Sequence, residues 1–228
     1  MLIMSVRKIP QVKEAFKQLN FVDKAFFCNY RPSAVSKVMN KYIDDHGRGY
    51  THLIVSSDDI TPSPENIRQL LEDVSLYNLA CIGGWCNICY FDRQDKHGMI
   101  CGACVDGGPH EDTNVTFDPV DTIALCRSNY NFVKVDWAKG HPGIYSVWFQ
   151  GMACGVVSMS THRKIPFRSL LDGVGGLMQD LAFAIDCQSA GIKQFVDFRV
   201  GMKHIGTHHG KLLVGKAPTH IKFEKAKT

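Results

Sequence analysis

No run of about 18 uncharged apolar residues occurs anywhere in the chain, so a membrane-spanning helix is not expected. The opening stretch MLIMSVRKIP is too short in apolar residues for a secretory signal, which makes a cytoplasmic location the expectation. Long blocks of one charge are also missing. The 26 Lys and Arg and 22 Asp and Glu are scattered and leave a net charge of only +4, so no nucleic-acid partner is expected on charge grounds. The basic tail HIKFEKAKT could place the protein peripherally at an acidic membrane surface, although a solvated tail is the more ordinary reading. There is no internal repeat and no low-complexity tract, which removes solenoids and fibrous architectures. No Gly-rich phosphate fingerprint follows the first apolar run, which removes the common dinucleotide and P-loop classes. Cysteine is not scarce, but its nine copies are an odd number, which argues against a fully paired secreted disulfide framework and for reduced thiols or metal ligands.

What is present suits one catalytic-sized domain. The 228 residues are 45% hydrophobic, enough for a substantial core. Leu2 to Val6 reads as a short strand, Val12, Ala15, Phe16 and Leu19 as a helix face, and Ala25 to Cys28 as a second strand. Pro32-Ser33 starts a helix carrying Val35, Val38, Met39, Tyr42 and Ile43, and His52 to Val55 is the next strand. Ser63-Pro64 supplies an N-cap with proline at the first helical position, ahead of Ile67, Leu70, Leu71, Val74 and Tyr77. Leu79 to Ile82 reads as a strand ended by Gly83-Gly84, and residues 85–119 as a turn-rich, Cys-rich insertion. Strand character returns at Thr122 to Leu125, Phe132 to Trp137 and Val147 to Ser158. A helix from Met178 to Ser189 ends at Ala190-Gly191, before a last strand from Gln194 to Val200. Strand and helix alternate, so crossovers and a mostly parallel, Rossmann-like central sheet flanked by helices are expected over a single domain, residues 1–228.

Asp58-Asp59 directly follows a buried strand, at the carboxyl edge where open α/β sheets bind ligands. Adjacent carboxylates are hard oxygen donors suited to Mg²⁺ or Mn²⁺, ions that commonly take one or two protein carboxylates plus phosphate oxygens. An isolated Asp pair can equally just begin a Pro-rich turn.

The order of the other pieces separates these alternatives. HLIVSSDDITPSPENIRQLLED resembles the strand, D-x-D loop and Pro-led helix of GT-A glycosyltransferases, in particular the large inverting nucleotide-sugar-dependent family. FQGMACGVVSMSTHRKIPF looks like that family's Gly-Ala strand and basic turn. GGLMQDLAFAIDCQSAGIKQFVDFRVGMKHIG resembles its Gly-Glu-Asp helix, following strand and terminal His-Gly. The resemblance spans about residues 50 to 206, with 85–119 largely unmatched. It implies a GT-A fold and transfer of a sugar from a nucleotide-diphosphate sugar to a glycan, lipid or protein hydroxyl, assisted by Mn²⁺ or Mg²⁺.

Carried over position by position, the resemblance sets the D-x-D motif on Ser57, Asp58 and Asp59, with Ser57 departing from the usual carboxylate. It sets the catalytic base on Asp180, with Gln179 where glutamate is usual. A base there must reach the acceptor hydroxyl and take its proton as the sugar carbon is attacked, and the first turn of a helix favours the ionised carboxylate. The plainer role for Asp180 is that of a helix-terminal charge. His204 matches a late histidine that joins the cation or diphosphate; if it coordinates, Mn²⁺ suits the site better than Mg²⁺. His208 and His209 are weaker candidates of the same kind. The ends of the first two strands, with Ser5, Arg7, Tyr30 and Arg31, fall where the family holds the nucleotide: Tyr30 for stacking, an arginine for phosphate.

A separate signal lies in Cys86-x-x-Cys89 and Cys101-x-x-Cys104, whose spacing is close to that of four-thiolate structural zinc sites, against the alternative of unrelated thiols or local disulfides. Two rival functions remain. A sugar-nucleotide nucleotidyltransferase would use the same kind of sheet but needs a Gly-rich basic first loop, for which SVRKIP is a poor version. A zinc-containing nucleic-acid-binding module would leave the α/β pattern and Asp180 unexplained.

Overall fold

A computed structural model describes residues 2–5, 9–28, 34–88, 100–105, 132–169, 179–205 and 219–220. The order begins β1 (Leu2–Ser5), α1 (Pro10–Gln18), β2 (Ala25–Cys28), α2 (Val35–His46), β3 (His52–Ser56), β4 (Ile60–Thr61) and α3 (Pro64–Leu76). It continues with β5 (Cys81–Ile88), β6 (Ile100–Val105), β7 (Phe132–Lys134), α4 (Val135–Gly140), β8 (Ile144–Gln150), β9 (Cys154–Ser158), α5 (Met159–Lys164), α6 (Gln179–Ser189), β10 (Gln194–His204) and β11 (Thr219–His220).

The clearest local signal, at α3, is realised in full. Ser63 Oγ accepts from the Asn66 backbone N–H at 3.2 Å, and Asn66 Oδ1 accepts from the Ser63 N–H at 3.0 Å. Two donors that a helix start would leave unpaired are thus satisfied, a gain of about 1 kcal/mol. Pro64 takes the first turn, and Ile67, Leu70 and Val74 bury the inner face.

The strands form one mixed sheet in the order β11-β2-β1-β3-β9-β5-β10-β8-β6-β7, with β4 on the end of β10 and a further pairing of β5 with β6. Among the described residues, parallel pairing is confined to β1 with β2, β1 with β3 and β5 with β10. The expectation of a mostly parallel sheet is therefore corrected to an α/β fold with a mixed sheet. The reason is that β9 enters antiparallel between β3 and β5, and the β6, β7 and β8 strands add antiparallel edges. Strand direction is invisible to apolar patterning alone. Since β9 opposes both its neighbours, β1, β2, β3, β5 and β10 all point the same way.

Helices cover both faces. On one, α2 (Val35, Met39, Ile43) and α6 (Phe183, Cys187) pack on Leu53, Val55, Cys81 and Val157. On the other, α3 packs Ile67, Leu70 and Val74 on Ile54, Ile82, Cys154 and Val156. Among the described residues no helix is long and apolar enough to cross a membrane.

Other boundaries differ from the sequence reading. Gly83 and Gly84 do not end β5, which runs on to Ile88. They are glycines because neighbours approach closely: a methyl at Gly84 would meet Val200 O and the Met202 side chain, and one at Gly83 would strike the Gln150 amide. The stretch after Trp85, expected to be irregular, contributes the end of β5 and the whole of β6. Phe132 to Trp137 is strand only as far as Lys134; packing of the fully buried Ala138 against Trp85, Val147, Val196 and Phe198 goes with the helical turn that follows. Val147 to Ser158 is split into β8 and β9 by a turn at Gly151 to Ala153, where Met152 takes a positive φ of 24°. The strand expected at Thr122 to Leu125 lies outside the described residues.

Gln150 ends β8 with 1% exposure, and neither atom of its amide has a hydrogen-bond partner among the described residues. A buried amide without partners carries its full desolvation cost. Gln150→Met, similar in shape and without those groups, is expected to raise stability by about 1–2 kcal/mol in chemical denaturation. A clear loss of stability would mean that the amide is in fact bonded.

Candidate functional site

Between β1 and its two neighbours the strand order reverses. The chain passes from β1 to β2 on one side, then crosses back to β3 on the other. In open α/β sheets the crevice beyond the carboxyl ends of such strands is the usual ligand site. Ser5 closes β1 there, and Ser57, Asp58 and Asp59 follow β3 there.

The loop is fixed from beneath. Ser57 N–H donates to Ala153 O at 3.1 Å, and Ser56 Oγ donates to the same carbonyl at 3.2 Å, tying the loop to the β8–β9 turn. Asp58 is buried, with 6% exposure. Asp59 is less buried, with 15% of its side chain exposed. Its Oδ1 accepts from Ser57 Oγ at 2.6 Å, and its Oδ2 lies 3.1 Å from His204 Nε2.

His204 arrives from the far end of the chain because β10 overruns the sheet and pairs with β4. Lys203 lies opposite Thr61 and His204 opposite Ile60. Ile205 N–H donates to Asp59 O at 2.7 Å, and Thr61 Oγ1 donates to Lys203 O at 3.3 Å. Ser57, Asp59 and His204 are thereby brought together.

Asp180 belongs to a different element, the first turn of α6. That helix leads through Ala190-Gly191 into the amino end of β10, with Gly191 at φ +67°. Among the described residues no hydrogen bond joins Asp180 to Asp59 or His204. Asp180 Oδ1 accepts from the Leu181 N–H at 2.8 Å. Burial raises the Asp180 carboxyl above the ordinary range, and the backbone hydrogen bonds only partly oppose that.

Arg7, Tyr30, Arg31, Cys89, His208 and His209 lie outside the described residues, and of Ser5 only the backbone is described. Cys86 is buried in the α3-side core, while Cys101 and Cys104 both lie in β6, with Cys101 opposite Asn87. An extended stretch such as β6 differs from the tight turn in which a C-x-x-C pair usually grips zinc. Cys81, Cys154 and Cys187 are free, buried thiols.

Asp59 and His204 are a pair, and no group of three or more His, Cys, Asp or Glu gathers among the described residues. A hard carboxylate beside a borderline imidazole suits Mn²⁺ better than Mg²⁺, and two protein donors are enough where phosphate oxygens complete the shell. The donor set thus fits a cation held jointly with a diphosphate.

Sequence reasoning missed a second polar group, at the opposite end of α3. Arg199 Nη2 donates to Asp73 Oδ1 and Oδ2 at 3.0 and 3.2 Å, and its Nε donates to Asp197 Oδ1 and Oδ2 at 2.9 and 3.1 Å. Asp73 and Asp197 are 2% and 0% exposed. The signal was present in VDFRV, where two opposite charges interrupt an apolar strand two residues apart.

A comparison with protein-family profiles finds no match, and a comparison with curated protein sequences finds none either. Among solved structures the chain is similar to one described as the crystal structure of A197 from STIV. Identity is 10% and the TM-score 0.50, over 92% of this chain and 95% of that one. At such identity the likeness concerns the fold alone.

Burial first, then a hydrogen bond with Asp197, raises the Asp73 carboxyl above its ordinary value, against the pull of Gln69 and Arg199. A carboxyl raised by folding holds its proton longer in the native chain than in the unfolded one. Its contribution to stability is therefore present at low pH and falls as pH rises from about 4 through the folded value. Asp73→Asn is expected to remove that slope, at most about 1.4 kcal/mol per pH unit for one proton, from a thermal-denaturation series across pH. Equal slopes in both proteins would show that Asp73 does not titrate in this way.

Proposed function

We propose that this chain is a GT-A-type glycosyltransferase that moves a sugar from a nucleotide-diphosphate sugar to an acceptor hydroxyl, with a divalent cation at Asp59 and His204 and with Asp180 as base. The observation that carries the reading is the 3.1 Å approach of Asp59 Oδ2 to His204 Nε2 beyond the carboxyl ends of β3 and β10, beside a reversal of strand order. Two residues 145 positions apart meet where an α/β sheet binds ligands, and both were assigned to one cation by the sequence resemblance. The parallel trio β2-β1-β3, followed by the reversed β9 and then β5 and β10, also supports a nucleotide-binding sheet of this type.

A bound cation would supply Lewis-acid neutralisation of the leaving diphosphate. The chain's own groups do the rest. Ser57 Oγ, donating to Asp59 Oδ1 at 2.6 Å, fixes the plane of the carboxylate and directs Oδ2 toward His204. That hydroxyl stands where the motif has its first carboxylate; the loop's second carboxylate, Asp58, sits at the middle position and is buried, so Asp59 is the carboxylate that meets Ser57 and His204. Asp180 takes the proton of the attacking hydroxyl, a role that fits inversion at the anomeric carbon in a single displacement. Its raised affinity for protons makes it a stronger base than an exposed aspartate, at the cost of being inactive once protonated.

A thermal-shift panel of UDP-, GDP- and dTDP-sugars with and without Mn²⁺ tests the binding half. One donor is expected to stabilise wild type only when Mn²⁺ is present, and Asp59→Ala is expected to abolish that response. Indifference to every donor, or an undiminished response in Asp59→Ala, would count against the site.

For the chemical half, Asp180→Asn is expected to lower kcat by about 10²- to 10⁴-fold while donor stabilisation persists. In wild type, turnover should fall on the acid side with a midpoint above the ordinary aspartate value of about 4, because the base works only when ionised. Wild-type turnover in Asp180→Asn would remove it from the mechanism.

A further inference from the structure

The pairing of β10 with β5 changes step along its length. Phe195 lies opposite Ile82 and Val196 opposite Gly83, yet the next partners are Gly201 with Trp85 and Met202 with Cys86. Between Val196 and Gly201 the chain advances five residues on β10 against two on β5, which leaves three extra residues in a bulge. Successive side chains on a strand alternate between faces, so an odd number of extra residues exchanges the faces for everything that follows.

The exchange is visible in the packing. Before the bulge an odd-numbered residue, Phe195, packs with the α3-side core, and the even-numbered Val196 and Phe198 pack with Trp85 on the other side. After it, the even-numbered Val200 and Met202 are in the α3-side core. The step falls between Phe198 and Val200, at Arg199.

Arg199 is pinned at this step on three counts. Its backbone N–H donates to Asp197 Oδ1 at 2.9 Å, closing a local turn of the chain. Its Nε grips the same carboxylate, and its Nη2 reaches Asp73 on α3. A planar guanidinium can hold two carboxylates in fixed directions at once, which a lysine ammonium cannot. Asp197 is fully buried and Asp73 nearly so, so neither carboxylate can turn to water instead.

Continued along the same alternation, His204 belongs with Val200 and Met202, and it is found against Asp59, next to Ile60 of the α3-side core. Without the odd bulge, Lys203 would occupy that phase and the imidazole would point away. We infer that Arg199, clamped between Asp73 and Asp197, is a positioning residue that sets the phase of β10 and so directs His204 to Asp59. The inference rests on Asp59 and His204 being the working pair proposed above, but concerns how the pair is assembled.

The test reads the His204 imidazole directly. Histidine-labelled protein is observed by NMR without added metal, with the His204 signal assigned from His204→Gln and its position without the Asp59 carboxylate taken from Asp59→Ala. Arg199→Ala is expected to move the signal at least half-way to the Asp59→Ala position. Asn40→Ala is the control for general loss of stability: Asn40 bonds His162 and Phe167 on the α2 side and should leave His204 in place. If Arg199→Ala does not fold, Arg199→Lys takes its place, because it keeps a cation between the carboxylates but not the two-armed grip.

An unmoved His204 signal in the folded Arg199 variant overturns the inference, and so does an equal displacement in Asn40→Ala. Mn²⁺ affinity, followed by water-proton relaxation, is expected to fall about tenfold in the Arg199 variant, in the range seen when a group orienting a metal ligand is lost. Absence of Mn²⁺ binding in wild type would sink the cation reading itself, and the NMR comparison would still decide the role of Arg199.

Discussion

The candidate site depends on the short antiparallel contact between β4 and the last residues of β10. Two strand residues on one side, Ile60 and Thr61, meet Lys203 and His204 on the other, and the Ile205 N–H closes on Asp59 O. Remove that pairing and the acidic loop is only the beginning of a turn. The remainder of the fold limits how far either partner can wander. Upstream, Ser56 and Ser57 are bonded to Ala153; downstream, the Ser63 capping box begins α3 two residues after β4 ends. The acidic loop is thus anchored at both ends over fewer than ten residues, and the partner strand is the one that crosses the sheet to reach it.

Within that frame the division of labour between Asp58 and Asp59 follows from burial. Asp58 is buried, and Asp59 is the one presented to Ser57 and His204. Ser57 acts on Asp59 through geometry rather than charge. A hydroxyl cannot bind a cation as strongly as a carboxylate, but it can donate a hydrogen bond that a carboxylate cannot, and here it uses it to orient its neighbour.

Local chemistry was readable wherever the signal was local. Ser63-Pro64 marked the start of α3 to the residue, the apolar spacing of Val35, Met39 and Ile43 marked the buried face of α2, and Ala190-Gly191 marked the end of α6. Asp58-Asp59 follows a buried strand, β3, as the apolar run before it predicts. What could not be read were relations between strands. Nothing in CGVVS states that it runs against β3 and β5, because an apolar pentapeptide buried on both faces looks the same in either direction. Gly83-Gly84 was misleading for a related reason. Glycine marks a turn and a close approach with the same letter, and only the neighbours Gln150, Val200 and Met202 distinguish the two.

The charged residues of VDFRV show how a long-range constraint can nonetheless be written locally. Asp197 is fully buried in β10 and Arg199 stands half-exposed beside it; burying the Asp197 carboxylate is a cost that an apolar residue would avoid. They are tolerable because each finds a partner, in each other and in Asp73. Ion pairs of this kind contribute little net stability, and the best-attested reason to keep one is that it selects a single register among near alternatives. Here the alternatives are concrete: a β10 with three extra residues or one without them, differing in which side chain stands against Asp59. A hydrophobic substitute at the half-exposed position 199 would bond neither carboxylate and would not distinguish between them.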